Sequence, residues 1–229
     1  MGVGFGEKNG SSSGALGGVV NGPLVHPDGN AVGTIIHSKM DYKNRPLTQK
    51  LKRTDVAYTV SSPNMKPGKF YNFYYKRGIF GLAKIDDQPT LVTIQTGDWD
   101  WNESKPVYLE EGVNKAVATE FYWAFENGPV LLLDGENLHN ANSTNRAVRT
   151  GIGYRDDQAL VYIKTATAVT FYELADLFLQ NEVSNAIFLD AVDEDMMGYT
   201  VNNASKVEDE MRDDRLRIQF YHAKVEINK

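Results

Sequence analysis

The residue types best suited to chemistry lie between Ala124 and Asp190. Arg146 and Arg149 precede Thr150-Gly151-Ile152-Gly153, where glycines let a backbone come close to a bound group. A guanidinium carries a planar fork of donors that matches phosphate oxygens and stays charged at any ordinary pH, which makes Arg149 the leading candidate. Arg146 reads equally well as a surface ion-pairing residue. Upstream, Glu126-Asn127-Gly128-Pro129 places a carboxylate and an amide where an apolar run meets a turn. Downstream, Asp190 closes the run Ile187-Phe188-Leu189. Cleavage of a glycosidic bond ordinarily uses two carboxylates roughly 5 to 10 Å apart. On residue type alone Asp190 reads as an ordinary turn former at a strand end; in such work Glu126 would be its second carboxylate and Asp193 the next. Arginines, turn amides and carboxylates of this kind can hold a phosphorylated sugar and move protons beside it.

Composition narrows the classes. The chain has 229 residues, 41% of them hydrophobic, enough for one substantial core or two small ones. Twelve tyrosines and many β-branched residues favour a β-rich fold. The net charge of -6 and the lack of a basic stripe argue against nucleic acid as the main partner. There are no cysteines, so disulfides, thiolate metal sites and cysteine catalysis are excluded. The four histidines, His26, His37, His139 and His222, show no metal-ligand spacing. Asp190, Asp193, Glu194 and Asp195 do not follow a calcium-loop pattern, so a solvated acidic loop is favoured over a divalent-cation site and no cofactor is expected. No apolar run approaches a bilayer span, and the N-terminus shows no basic flank and apolar core of a signal peptide. A cytoplasmic or virion-associated location is expected over secretion.

The elements that must position these residues are mostly strands. Turn signals and short apolar runs predict strands at Ala31–Ile36, Asp55–Val60, Lys69–Tyr75, Thr90–Gln95, Val117–Phe125, Val130–Leu133, Val148–Tyr154, Ala159–Thr165, Asn185–Leu189 and Leu216–Ile227. The last of these is expected at a sheet edge or a subunit interface. Thr170 and Glu173 form a capping box, with Phe171, Leu174, Ala175 and Phe178 making one apolar face of a helix that runs to about Asn181. Ala204 to Arg212 reads as a second, solvated helix. Residues 1–20 read as a glycine-rich lead-in, with a first strand at Ala15–Val20 as the alternative. The class expected is α+β: a mixed sheet with few helices, in one domain over residues 21–229.

The order of these pieces resembles the phosphodiester glycosidase family. Gly128-Pro129 and its apolar strand, Arg149-Thr150-Gly151-Ile152-Gly153, the strand Ala159-Leu160-Val161-Tyr162-Ile163, and Tyr172-Glu173-Leu174-Ala175 follow the family's sequence of elements. Asn21-Gly22-Pro23-Leu24-Val25-His26-Pro27-Asp28-Gly29 is similar to the family's upstream Asn-Gly-Gly segment and the turn after it. The family's Asp-Gly-Gly-Gly-Ser is represented by Asp190 followed by Ala191-Val192-Asp193-Glu194. The likeness covers roughly Asn21 to Asp190, with a divergent middle segment, 40–116.

The resemblance implies a glycosidase that splits the sugar–phosphate bond of a sugar-1-phosphodiester. Asp190, Glu126 and Arg149 would then act in catalysis. Asn21, Gly22, His26, Asn127, Gly128, Arg146, Thr150 and Gly151 would bind a small-molecule sugar phosphodiester or nucleotide-sugar. Two further readings stand beside it. One is an inactive binder of a nucleotide-sugar or cyclic nucleotide; the other is a viral or surface structural protein that reuses the fold and self-associates as a homo-oligomer.

Overall fold

The computed structural model describes residues 2–5, 15–21, 35–37, 49–50, 75–100, 102–103, 105–111, 120–189, 198–201, 204–206 and 217–222. In chain order the elements are β1 (Gly2–Phe5), β2 (Ala15–Asn21), β3 (Ile35–His37), β4 (Gln49–Lys50), β5 (Arg77–Ile85), β6 (Gln88–Asp100), β7 (Lys105–Glu111) and β8 (Glu120–Asn127). There follow β9 (Val130–Leu133), β10 (Glu136–Asn137), β11 (Thr150–Arg155), β12 (Leu160–Lys164), α1 (Phe171–Gln180) and β13 (Val183–Leu189). The last strands are β14 (Gly198–Val201), β15 (Ala204–Lys206) and β16 (Arg217–His222). Sheet dominates and α1 is the one helix among the described residues, which is broadly an α+β composition. A mixed sheet is expected from the sequence; instead every strand pairing among the described residues is antiparallel.

The chain divides into two compact units. One combines Met1–Ala31 with Asp190–Lys229; the other is Val32–Leu189. The first unit holds a sheet ordered β1-β16-β2-β14-β15. Here β16 lies between β1 and β2, so the last strand is interior to its sheet and not at the expected edge. Ala204–Lys206, expected to begin a helix, is a strand paired with β14. A three-residue strand needs only a facing partner, which Tyr199–Val201 supplies.

The second unit holds two sheets, β3-β8-β5-β6-β7 with β4 also on β8, and β10-β9-β13-β11-β12. Alternation along β11 explains its layers. Ile152 and Tyr154 turn to the space between the sheets, where the Tyr154 ring lies 5.8 Å from that of Phe80 in β5. Gly151 and Gly153 turn the other way. A Cβ on Gly151 would stand 2.9 Å from the Phe178 ring, so this glycine admits the helix onto the sheet. The close approach that glycine was expected to offer a ligand is made here by Phe178.

α1 forms as its sequence dictates. The Thr170 hydroxyl accepts from the Glu173 amide, and the Glu173 carboxylate accepts from the Thr170 amide, which closes the capping box. Leu174, Ala175 and Phe178 are buried beneath it. Burial of the leucine and the phenylalanine is worth about 2 kcal/mol each. At the far side of the sheet, Asp134 and Gly135 both have positive φ and make the two-residue turn between β9 and β10. No helix among the described residues is long and apolar enough to cross a membrane.

Candidate functional site

Antiparallel pairing brings several strand ends to one rim of the second unit. Gly78 near the start of β5 faces Asn127 at the end of β8, and Thr150 at the start of β11 faces Leu189 at the end of β13. Val130, the first residue of β9, pairs with Ile187 of β13. The rim is tied together by hydrogen bonds that run between segments far apart in sequence. Asn127 donates through Nδ2 to the Phe188 carbonyl at 2.7 Å, and the Thr150 hydroxyl donates to the Leu189 carbonyl at 3.2 Å. The Phe188 amide donates to the Pro129 carbonyl at 3.0 Å, and the Val130 amide to the Lys76 carbonyl at 2.6 Å. The Gly128–Pro129 peptide is cis.

Arg149 stands just before this rim and is 5% exposed. Its Nε donates to the Val169 carbonyl at 2.9 Å, and Nη2 donates to the Asn145 carbonyl at 3.0 Å. The guanidinium carbon lies over the Phe171 ring, 3.6 Å from its centre, within reach of a cation–π contact. No carboxylate among the described residues pairs with it. Burial alone lowers its pKa. The side-on edge, which was expected to grip a phosphate with two prongs, is therefore taken by backbone carbonyls. Nη1 remains without a hydrogen-bond partner among the described residues.

The other charged residues of the rim are engaged. Glu126, a sequence candidate for proton transfer, is buried and forms an ion pair with buried Arg77. Lys76 pairs with Asp98, Nζ to Oδ2 at 3.5 Å. Arg146 is at the surface, bonded to Glu173 and, through Nη1, to the Ala168 carbonyl at 3.2 Å. It braces the helix start, in keeping with the ion-pairing alternative.

One member of the site, His139, carries no signal in the sequence, where it stands as a lone histidine with no partner spacing. It is 9% exposed, and its Nε2 lies 2.9 Å from the Val130 carbonyl. A carbonyl only accepts, so Nε2 carries the proton and Nδ1 a lone pair. The ring lies edge-on to Tyr75, centroids 5.9 Å apart, and tilted against Phe171 at 5.3 Å. Phe171 in turn meets Phe188 edge-on at 5.2 Å. Burial chiefly pushes the His139 pKa down to about 4; the Val130 carbonyl and Asp98 oppose this, while Lys76 and Arg149 add to it. The imidazole is neutral under ordinary conditions. Tyr75 titrates higher than an ordinary tyrosine, from burial and then the Asp98 charge.

Of the residues singled out from sequence, the structure gathers Glu126, Asn127, Gly128, Arg149 and Thr150 at this rim. Gly151 lies one step along β11, under the helix. Asn21 ends β2 in the other unit, opposite Arg217 of β16. Gly22, His26, Asp190 and Asp193 lie outside the described residues. Among the described residues no cluster of His, Asp or Glu could hold a metal ion.

No curated protein matches the chain. Residues 13–214 match the family model described as phosphodiester glycosidase. That match spans the greater part of the 229-residue chain and takes in every rim residue named above, and the protein belongs to the phosphodiester glycosidase family.

Proposed function

We propose that the protein hydrolyses the bond between the anomeric carbon of a sugar and the phosphate oxygen of a sugar-1-phosphodiester. The observation that carries this reading is Arg149: a buried cation with no carboxylate partner among the described residues, beside the strand end that leads into Asp190. Burying a charge without a counter-charge is costly, and an anionic ligand would supply the missing partner. In the reaction a water oxygen bonds to the anomeric carbon. The carbon–oxygen bond to phosphate breaks with its electron pair on the phosphate oxygen, and the products are a reducing sugar and a phosphomonoester. The negative charge that grows on the leaving phosphate is what Nη1 of Arg149 would stabilise. Asp190 would take the proton from the attacking water. The pairing of Glu126 with Arg77 supports a positioning role for that carboxylate at the β8 end, which leaves Asp193 as the second proton carrier.

The test is release of reducing sugar from a panel of sugar-1-phosphodiesters, with calorimetry alongside. Asp190→Asn should abolish turnover and keep binding. One observation favours a second reading, a binder without turnover: Ala191-Val192-Asp193 puts side chains where the family has glycines that turn the backbone against a ligand. Binding by the unmodified protein without any sugar release would select that reading. Neither binding nor release across the panel would reject both.

A further inference from the structure

Among the described residues Arg149 is held by neutral groups alone, so its position depends on what fixes the ring beneath it. Phe171 is the first residue of α1, and the capping box at Thr170 sets its backbone. Its ring is set by neighbours: Phe188 on one edge, Arg149 on its face, and His139. His139 is itself fixed at both ends, by the Val130 carbonyl and by the Tyr75 ring. These contacts form a column from the turn before β5, through the loop after β10, to the start of α1 and the buried cation. None of its members shares a sequence segment with the next.

We propose that His139 is a positioning residue for Arg149: its imidazole, wedged between Tyr75 and Phe171 and tethered to Val130, holds the aromatic face on which the guanidinium lies. The proposal rests on the reading of Arg149 as the anion-holding group. The column tolerates only a neutral imidazole, because Lys76 and Arg149 both add positive charge near it, with Asp98 the one opposing charge and Tyr75 the other titratable neighbour among the described residues. A second positive charge on the column would push Arg149 from its seat. Neutral His139 thus keeps the cation close to the rim while adding no charge of its own.

Nuclear magnetic resonance of the free protein reads this directly, because side-chain protons of Arg149 stacked on Phe171 are shifted upfield by the ring current. His139→Gln keeps a donor for the Val130 carbonyl and removes the ring; it should return the Arg149 signals toward ordinary values. His139→Phe keeps a ring and should hold them upfield. Binding of inorganic phosphate should weaken about fivefold in His139→Gln, the scale of a lost cation–π contact, and recover in His139→Phe. Unmoved Arg149 signals in a folded His139→Gln protein overturn the proposal, as does their loss in His139→Phe. Should either variant fail to fold, acid titration of the unmodified protein decides: His139 and Arg149 signals must move with one midpoint, and separate midpoints overturn the coupling. If the coupling holds and phosphate binds nowhere, the anion-site reading fails and the positioning of Arg149 stands by itself.

Discussion

Acidification should destabilise this protein through His139 before its carboxylates respond. The folded pKa is pushed down to about 4 from the ordinary 6.5, chiefly by burial. Between those values the unfolded chain binds a proton that the folded chain refuses, so stability rises with pH across the window and falls on acidification. Going from about pH 7.5 to about pH 5 should cost about 2 kcal/mol through this residue alone, and the full penalty below the window approaches about 3 kcal/mol. Glu173 and Asp87 have lowered pKa values, so their contributions are present above their ordinary values of 4.5 and 3.8 and drain away only at the acid end of this window and below it. Urea unfolding at the two pH values, followed by tryptophan fluorescence, measures the difference. His139→Gln cannot titrate and should lose it, although it starts less stable at neutral pH. Equal pH dependence in the two proteins would refute the buried neutral imidazole.

Three other perturbations have definite expected outcomes. Thr170→Ala removes the hydroxyl that accepts from the Glu173 amide and should cost about 1 kcal/mol in the same unfolding assay; no loss would mean that the box contributes nothing. Gly151→Ala should cost about 1 to 3 kcal/mol, because the new methyl meets the Phe178 ring at 2.9 Å and the Ile187 carbonyl at 3.1 Å, and a neutral result would show that the helix shifts freely on the sheet. Arg149→Lys keeps the charge but loses the planar stack and the two carbonyl contacts; activity on a sugar-1-phosphodiester should fall at least about tenfold, the scale of a lost bidentate or stacked arginine. Full activity in that variant would remove Arg149 from the reaction.

What the sequence revealed, and what it hid, follows the range of the interactions. The capping box of α1 was legible because Thr170 and Glu173 lie within one turn and answer only to each other. β9 was legible because Val130–Leu133 sits between Gly128-Pro129 and Asp134-Gly135, and both turns are local. β5 was missed because Gly78 and Gly81 weaken its strand signal, yet both are needed: a Cβ on Gly78 would stand 2.4 Å from Val130 of the facing sheet. β7 was missed because Pro106 argues against a strand, and it is tolerated because β7 is at the edge of its sheet. Arg149 was legible as a residue type, but its use of the side-on edge depends on Val169 and Asn145, which the chain brings round from either side. His139 gave no sign at all, since Tyr75, Val130 and Phe171 reach it from three separate segments. The expected strand Asp55–Val60 lies outside the described residues, as does Lys69–Tyr75 except for Tyr75, which stands in the turn before β5.

The interior place of β16 has a consequence for the order in which the chain is built. Gly2–Phe5 and Ala15–Asn21 leave the ribosome before the second unit, but each pairs with Arg217–His222, about 200 residues later. Until then the early strands have open edges, while Val32–Leu189 can complete both of its sheets from its own residues. The second unit is thus free to fold during synthesis, and the first must wait until Arg217–His222 has emerged. Pairings this distant in sequence are slow to form and leave unpaired strand edges exposed meanwhile. The glycines and polar residues that dominate residues 1–22 suit a segment that must stay soluble while it waits. In a nascent chain, this sheet is clasped shut only when Arg217–His222 arrives.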